Sequence, residues 1–447
     1  MEILILGTGR SSPYLIQYLA QTCLHENWDL TVANLDTRGA REFTKTNPGV
    51  KFENADISNP EILNTLVKAH RIVVSLLPPT LHHKVALACL ENKKHLATAS
   101  YVSAEMEKLD AEVSKNGLLF LNELGLDPGI DHLSAQEIID NIHRDGGKIE
   151  AFYSYCGGLV APESADNPWG YKFSWNPRNV ILAGQGTARY KENGKLKFIP
   201  YSRLFEQHRK IKIPGLGNFD GYANRDSLTY VNHYGIPEIK TILRGTLRSE
   251  GFCKAWDLLV KIGLTDPSYQ VPDKKNFSFP ELIDALIPDG KGSLQERTAR
   301  YLRTRADSPE MKKLKWLGLF QKQSFSTSGN SPADLLQKLL EEKWKLKKSD
   351  KDRVVLCHRF VYSVGTKKSE MLSSMDVIGK NSRETAMAKT VGLPLAMGVK
   401  LMAQNKIGLK GVRIPNYPVL YEPILKELKE HGIRFSESIK NLNKTRG

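Results

Sequence analysis

Cysteine is scarce in this chain. Its five residues, Cys23, Cys89, Cys156, Cys253 and Cys357, are odd in number, widely spaced and never in a CxxC pair. That argues against a disulfide framework and a thiolate zinc site, and it fits a reducing compartment, so the cytoplasm is the expected location. Long apolar runs are missing too, and no stretch reads as a membrane-spanning helix. Met1 leads straight into an apolar run, without the basic and then apolar segment of an export signal. Internal repeats and low-complexity segments are absent.

Acidic residues are the minority charge, 49 against 64 Lys and Arg, for a net charge of +15. A basic excess points either to nucleic acid or to an anionic small molecule. Here the excess is spread along the sequence. Its densest run, Lys343-Trp344-Lys345-Leu346-Lys347-Lys348, ends a helical stretch, where cations favour the helix dipole and face solvent. The expectation is therefore a small-molecule partner, with neither nucleic acid nor membrane. A length of 447 residues with 40% hydrophobic and 25% charged residues is ordinary for a globular protein of two or three domains.

What the chain does have is a glycine loop, Gly7-Thr8-Gly9-Arg10-Ser11-Ser12, between an apolar run (Ile3 to Leu6) and a helix-periodic one (Tyr14 to Ala20). Gly7 suits a tight turn, Gly9 lets a phosphate approach the backbone, and Ser12 is small enough for the helix to pack on the strand. A plain strand-to-helix turn would look the same, so the context decides. Strands are expected near Leu30–Ala33, Val50–Phe52, Arg71–Leu76, His95–Ala99 and Leu118–Leu121. Helices are expected over Ile62–Ala69, His83–Glu91 and Ala104–Lys115. This alternation is that of a doubly wound parallel sheet, an α/β fold that binds its ligand beyond the carboxyl ends of the strands. It marks Ser75–Pro79, Ser100-Tyr101 and the stretch Asn122–His132. In the last, Asp131 reads as a helix cap, Asp127 as the better functional candidate, and His132 as either a buried structural histidine or a catalytic one.

After Lys148 the pattern becomes mixed. Strands are expected over Ala151–Gly158, Lys195–Pro200, Ser227–Tyr234 and Ile239–Leu247, and Trp169–Trp175 reads as an aromatic loop. Val180–Ala188 reads as helix or turn, and residues 253–346 as mostly helical with loops at 267–272 and 324–331. A hairpin is expected over Arg353–Val364 and Ser369–Ile378. Helices over Thr385–Gln404 and Pro423–His431 follow, with a turn or edge strand at Gly411–Pro415 between them.

These residues also match a family. GTGRSS at 7–12, SLLPPTLHHKVA at 75–86, ATASY at 97–101, ELGLDPGIDH at 123–132 and CGGLVAPESADNPWGYKFSWNPR at 156–178 resemble saccharopine dehydrogenase of the glutamate-forming type, also called saccharopine reductase. RGTLR at 244–248 and ETAMAKTVGLPLA at 384–396 extend the resemblance over essentially the whole chain. It implies a Rossmann-type dinucleotide domain (1–130 and 379–447), a mixed α/β substrate and dimerisation domain (131–252 and 353–378) and a helical insertion (253–352), in a homodimer. It implies oxidation of the secondary amine saccharopine by NAD or NADP and hydrolysis to glutamate and 2-aminoadipate 6-semialdehyde. The alternatives are a related reductase, such as carboxynorspermidine dehydrogenase, and a Rossmann protein that senses a nucleotide without turnover.

The same resemblance assigns residues. Cofactor contacts fall on Gly7, Gly9, Arg10, Ser11, Ser12, Asn34, Asp36, Asp56, Leu76, Leu126, Pro128 and Gly129. Substrate contacts fall on Ser100, Tyr101, Asp127, Arg225, Arg244, Gly245 and Thr246, the arginine forks suiting carboxylates. Tyr101 and Asp127 are the candidates to carry the amine proton, with Cys156 near the same centre and a buried, unreactive thiol its equal alternative. On the cofactor the residues depart from the NADP pattern of V-A-x-R. Here Val32-Ala33-Asn34-Leu35-Asp36 puts an acid where it would accept bonds from a ribose and repel a 2′-phosphate, so NAD is the expected choice. Two readings oppose that expectation: Arg38, close by, could reach a phosphate, and Asp36 could instead cap the next helix.

Overall fold

The structure is a computed structural model that describes residues 1–44, 49–272, 278–322 and 329–443. It divides into two compact units, Met1–Ile149 with Tyr362–Ser369 and Met375–Gly447, and Glu150–Val361 with Glu370–Ser374.

In the first unit the strands are β1 (Glu2–Leu6), β2 (Asp29–Asn34), β3 (Val50–Asn54), β4 (Ile72–Ser75), β5 (His95–Thr98) and β6 (Leu119–Leu121). They pair in parallel in the order β6-β5-β4-β1-β2-β3, and Gly411–Arg413 adds a parallel edge strand beside β6. Ile3 to Leu6, Val73 and Val74 are wholly buried, as expected where helices cover both faces of a parallel sheet. The strand order reverses between β1 and β4, which places the ligand crevice at their carboxyl ends. The helix expected over Ala104–Lys115 is two short ones, Ala104–Glu107 and Asp110–Lys115, because Leu109 closes a tighter turn onto the Met106 carbonyl at 3.1 Å. The expectation that no run could span a membrane needs one correction. Ala386–Ala403 is long and apolar enough by length and composition, but 83% of it is buried as a core helix of this unit. It packs on Pro13–Glu26 so closely that a Cβ on Gly392 would stand 2.8 Å from the Leu15 nitrogen.

The second unit is built on a mixed sheet of Arg209–Ile213, Gly217–Ala223, Thr241–Ser249 and, in that order, the parts of the strands Gly147–Val160, Asp352–Val364 and Lys367–Ile378 that fall within it. A hairpin of Ala188–Glu192 and Lys195–Ile199 pairs onto Thr241–Ser249. The helices Phe252–Ile262, Phe279–Leu286, Leu294–Tyr301, Pro309–Leu317 and Pro332–Lys343 share one hydrophobic core with this sheet. Of the loop expected over 324–331, residues 324–328 lie outside the described ones. The aromatic loop Trp169–Trp175 is real but not solvent-facing. Trp169 and Tyr171 are fully buried, and both rings meet Trp344 edge-on at 5.3 and 5.2 Å. Each such ring contributes roughly 4–6 kcal/mol of transfer free energy as an upper bound. The strand expected over Ser227–Tyr234 is instead a short helix, Thr229–His233. Asp226 sets it, accepting from the Leu228 N–H at 2.8 Å and the Thr229 hydroxyl at 3.3 Å, and Tyr230 and Tyr234, one helical turn apart, face each other.

Candidate functional site

The first cluster lies at the carboxyl ends of the parallel strands. Gly7 follows β1 with φ at +101°, a conformation that favours glycine, and a Cβ there would stand 2.9 Å from the Leu76 carbonyl oxygen. Its N–H bonds the Ala33 carbonyl at 3.0 Å, and the Leu76 N–H bonds the Leu6 carbonyl at 2.8 Å, so both lie at the β1–β4 reversal. Gly9 is exposed, with nothing within 4 Å of the place a Cβ would fill. Ser12 turns its hydroxyl back to the Gly9 carbonyl at 2.8 Å and leaves the helix Pro13–Glu26 without a side-chain cap. An open glycine backbone leading into an uncapped helix start is what a pyrophosphate requires, so these residues fit a dinucleotide. Arg10 is exposed and Ser11 half-buried beside them.

Asp36 is engaged in a way the sequence did not disclose. Arg38 holds its carboxylate by Nε–Oδ1 at 3.0 Å and Nη2–Oδ2 at 2.7 Å, and the Arg38 N–H adds a bond at 2.9 Å. The guanidinium keeps the carboxyl near a pKa of about 2. Asn34 Nδ2 bonds the Asp36 carbonyl at 2.9 Å. With its acid already paired to a cation, Asp36 loses the repulsion toward a phosphate on which the expectation of NAD rested. Asp56 is likewise occupied locally, accepting from the Ser58 N–H at 2.9 Å and hydroxyl at 2.7 Å, which lower its pKa.

Beyond β5 and β6, the Tyr101 hydroxyl donates to Asp127 Oδ1 at 3.0 Å. Both side chains are half-buried. The Asp127–Pro128 bond is cis, and Leu126, Pro128 and Gly129 are buried. Gly129 is irreplaceable on steric grounds: its φ is +147°, and a Cβ would lie 2.0 Å from the Gly125 carbonyl oxygen. Asp131 is not the cap residue of the helix, which runs Ile130–Arg144 with Gly129 at the cap position. It sits in the first turn, and its carboxylate accepts the Gly129 N–H at 2.6 Å. His132 is fully buried, its Nε2 2.9 Å from Glu123 Oε2, while Glu123 Oε1 accepts the Val102 N–H at 3.0 Å. The structure thus makes His132 part of a buried brace under the loop.

The second cluster lies in the second unit. Register across the parallel strands sets Arg244 beside Ser154 and Thr246 beside Cys156, on one face of the sheet. Arg244 is 4% exposed, its guanidinium lies 4.1 Å over the Tyr230 ring, and its N–H bonds the Ser227 hydroxyl at 2.9 Å. Gly245 points the other way. A Cβ there would stand 2.5 Å from the Tyr155 ring, so packing alone accounts for this glycine. Arg225 is exposed, with φ at +48°, and its carbonyl accepts the Arg189 N–H at 2.8 Å. Two residues escaped the sequence reading. Arg248, two positions past Thr246 on the same strand, is 2% exposed with the rings of Tyr171, Phe252 and Tyr222 at 5.3, 5.5 and 5.8 Å. His82 is buried between two serine hydroxyls. Only the HH pair at 82–83 marked it, and neighbouring polar pairs on a helix carry no such meaning alone.

Two family models match, one described as the saccharopine dehydrogenase NADP binding domain over residues 3–121 and one as the saccharopine dehydrogenase C-terminal domain over 125–433. The Schizosaccharomyces pombe protein named saccharopine dehydrogenase (NADP(+), L-glutamate-forming) is 36% identical, over 98% of this chain and 99% of that protein. The alpha-aminoadipic semialdehyde synthase of Arabidopsis thaliana is 34% identical over 97% of this chain, which spans 44% of that protein. A solved structure of apo saccharopine dehydrogenase (L-Glu forming) from Saccharomyces cerevisiae superposes with a TM-score of 0.86 at 32% identity, over 98% of this chain and 99% of that one. The first unit therefore carries a nicotinamide dinucleotide site, and the chain belongs to the saccharopine dehydrogenase family.

Proposed function

We propose that the protein oxidises saccharopine with NADP+ and water to L-glutamate and 2-aminoadipate 6-semialdehyde, or runs the reverse reductive condensation. The observation that carries the reading is the Tyr101–Asp127 hydrogen bond at 3.0 Å, directly beyond the strand ends of the dinucleotide sheet. NADP+ supplies the hydride acceptor. The substrate amine must shed its proton before the hydride leaves, and the Tyr101–Asp127 pair offers a phenol and a carboxylate in contact for that proton. Arg244, buried with its guanidinium over the Tyr230 ring, is the substrate-carboxylate fork, and the exposed Arg225 is a second one. Cys156 lines the same sheet face as Arg244 and Thr246.

NADP is preferred because Asp36 and Arg38 form an exposed ion pair, at 51% and 87% side-chain exposure. Such pairs contribute little, roughly 0–1 kcal/mol, so Arg38 is free energetically to turn to a 2′-phosphate. The test is NADPH absorbance on adding saccharopine to the purified protein, with NAD+ and with carboxynorspermidine as rivals. The expected result is turnover with saccharopine and a higher kcat/KM for NADP+. Replacing Arg38 by alanine is expected to lower kcat/KM for NADP+ about tenfold and to leave that for NAD+ within about twofold. Turnover of carboxynorspermidine with none of saccharopine would sink the reading.

A further inference from the structure

Strand β4 ends at Ser75, and seven residues later His82, in the helix Pro79–Glu91, lies against that strand end. Its Nδ1 is 2.8 Å from Ser75 Oγ and its Nε2 is 2.7 Å from Ser100 Oγ. The imidazole therefore joins two hydroxyls in one chain, from a wholly buried serine to a half-buried one. A neutral imidazole has one N–H and one lone pair, so the two serines cannot play the same part. Among the described residues, His82 Nδ1 is the sole hydrogen-bond partner of the Ser75 hydroxyl. If Nδ1 carried the proton, that buried hydroxyl would have no acceptor, a penalty that buried groups rarely bear. Nδ1 therefore accepts from Ser75, and Nε2–H donates to Ser100.

The consequence falls on Ser100. Its backbone is already fixed: its N–H bonds Thr98 Oγ1 at 3.2 Å, its carbonyl accepts the Glu123 N–H at 3.0 Å, and Glu123 Oε1 takes the next N–H but one, that of Val102. The hydroxyl rotor is the freedom that remains, and the Nε2–H restricts it by occupying one of the directions the hydroxyl hydrogen could take. The hydroxyl hydrogen is left to be donated away from the imidazole. We propose that His82 is a positioning residue that, through the Ser75–His82–Ser100 chain, commits the Ser100 hydroxyl to donating a hydrogen bond to a carboxylate oxygen of the substrate, which rests on the saccharopine reading above. Burial, which lowers the imidazolium to a pKa of about 4, keeps the ring neutral near pH 7 and the chain in one polarity. A hydroxyl set in advance toward its acceptor spares the substrate the cost of ordering it.

Two experiments on the full chain test this. In protein labelled with 15N-histidine, two-bond proton–nitrogen spectra between pH 6 and 8 are expected to show His82, assigned by its loss in His82→Gln, with Nε2 protonated and Nδ1 bare. A ring protonated at Nδ1, or at both nitrogens, overturns the proposal, and no substrate is needed to see it. The second is a double-mutant cycle on saccharopine KM. Ser100→Ala and His82→Ala are each expected to raise KM about tenfold without changing the KM for NADP+, and the double variant about tenfold as well, because His82 acts only through Ser100. Multiplying losses, to about a hundredfold, would mark His82 as merely structural. His82→Gln, whose amide can donate near the Nε2 position, is expected to keep KM within about threefold and guards against a variant that fails to fold. If the wild type ignores saccharopine and oxidises another amino-acid amine, the functional reading fails, and the cycle is scored with that amine.

Discussion

Replacing Arg244 by methionine is expected to raise the saccharopine KM roughly tenfold to 150-fold while the KM for NADP+ stays put, since losing a charge-assisted bond to a buried carboxylate costs about 1.5–3 kcal/mol. Methionine keeps much of the apolar stem, so the packing on Tyr230, now 4.1 Å from the guanidinium, is largely conserved. Arg244→Lys separates charge from geometry. Lysine restores the cation but neither the planar fork nor the guanidinium over the ring, so it is expected to recover only part of the loss. The backbone should not move in either variant. Ser227 holds the Arg244 N–H at 2.9 Å, and the Arg244 carbonyl takes the Asn224 N–H at 2.8 Å. Steady-state kinetics with each substrate varied in turn decide the matter, and an unchanged saccharopine KM would remove Arg244 from the site.

The first unit was largely legible because its signals are local. Apolar runs four or more residues long, punctuated by glycine and proline, mark strands that are buried on both faces, and the β1 glycine loop is a local backbone requirement. The loop at 123–132 drew notice by composition, and the structure accounts for its glycine at 129 by the contact with Gly125. What the sequence hid depends on partners or on the face of a strand. Asp36 read as a ribose acceptor because nothing in a string shows that Arg38 folds back onto it. Gly245 sits between Arg244 and Thr246, yet alternation turns it to the opposite face, against Tyr155. Ser227–Tyr234 looks like a strand by its aromatic and β-branched content, and the Asp226 carboxylate, which turns the chain by accepting from Leu228 and Thr229, decides otherwise. The strands Arg209–Ile213 and Gly217–Ala223 went unread, although Ile211 and Ile213 alternate with lysines and a Pro-Gly turn follows. His82 needed three dimensions, since Ser75 and Ser100 come from different strand ends.

Lys172→Met is expected to destabilise the protein by about 3–5 kcal/mol, because it strands a buried charge. Lys172 is 3% exposed, and its ammonium lies 2.7 Å from Asp350 Oδ2 and 2.8 Å from Asp166 Oδ1. Asp350 is itself 9% exposed at its side chain, and the same Oδ2 accepts the Lys347 N–H at 2.7 Å. Removing the cation leaves the carboxylate without its counter-charge where water cannot replace it. Urea unfolding of wild type and variant near pH 7 measures the loss. A second variant distinguishes a stranded charge from lost packing: Lys172→Met with Asp350→Leu removes both charges and is expected to recover most of the stability. The pH dependence has a definite sign. Hydrogen bonds from Lys172 and then Lys347 hold the Asp166 carboxyl at about 2, below its unfolded value of roughly 3.9. That contribution is complete above pH of about 4 and is lost as pH falls through about 2. Lys172→Met removes the larger cause, so the stability gap between wild type and variant is expected to narrow as pH drops from about 4 toward 2. A gap that stays constant, or a Lys172→Met protein as stable as wild type near pH 7, would show that this ion cluster does not hold the loop to the second unit's core.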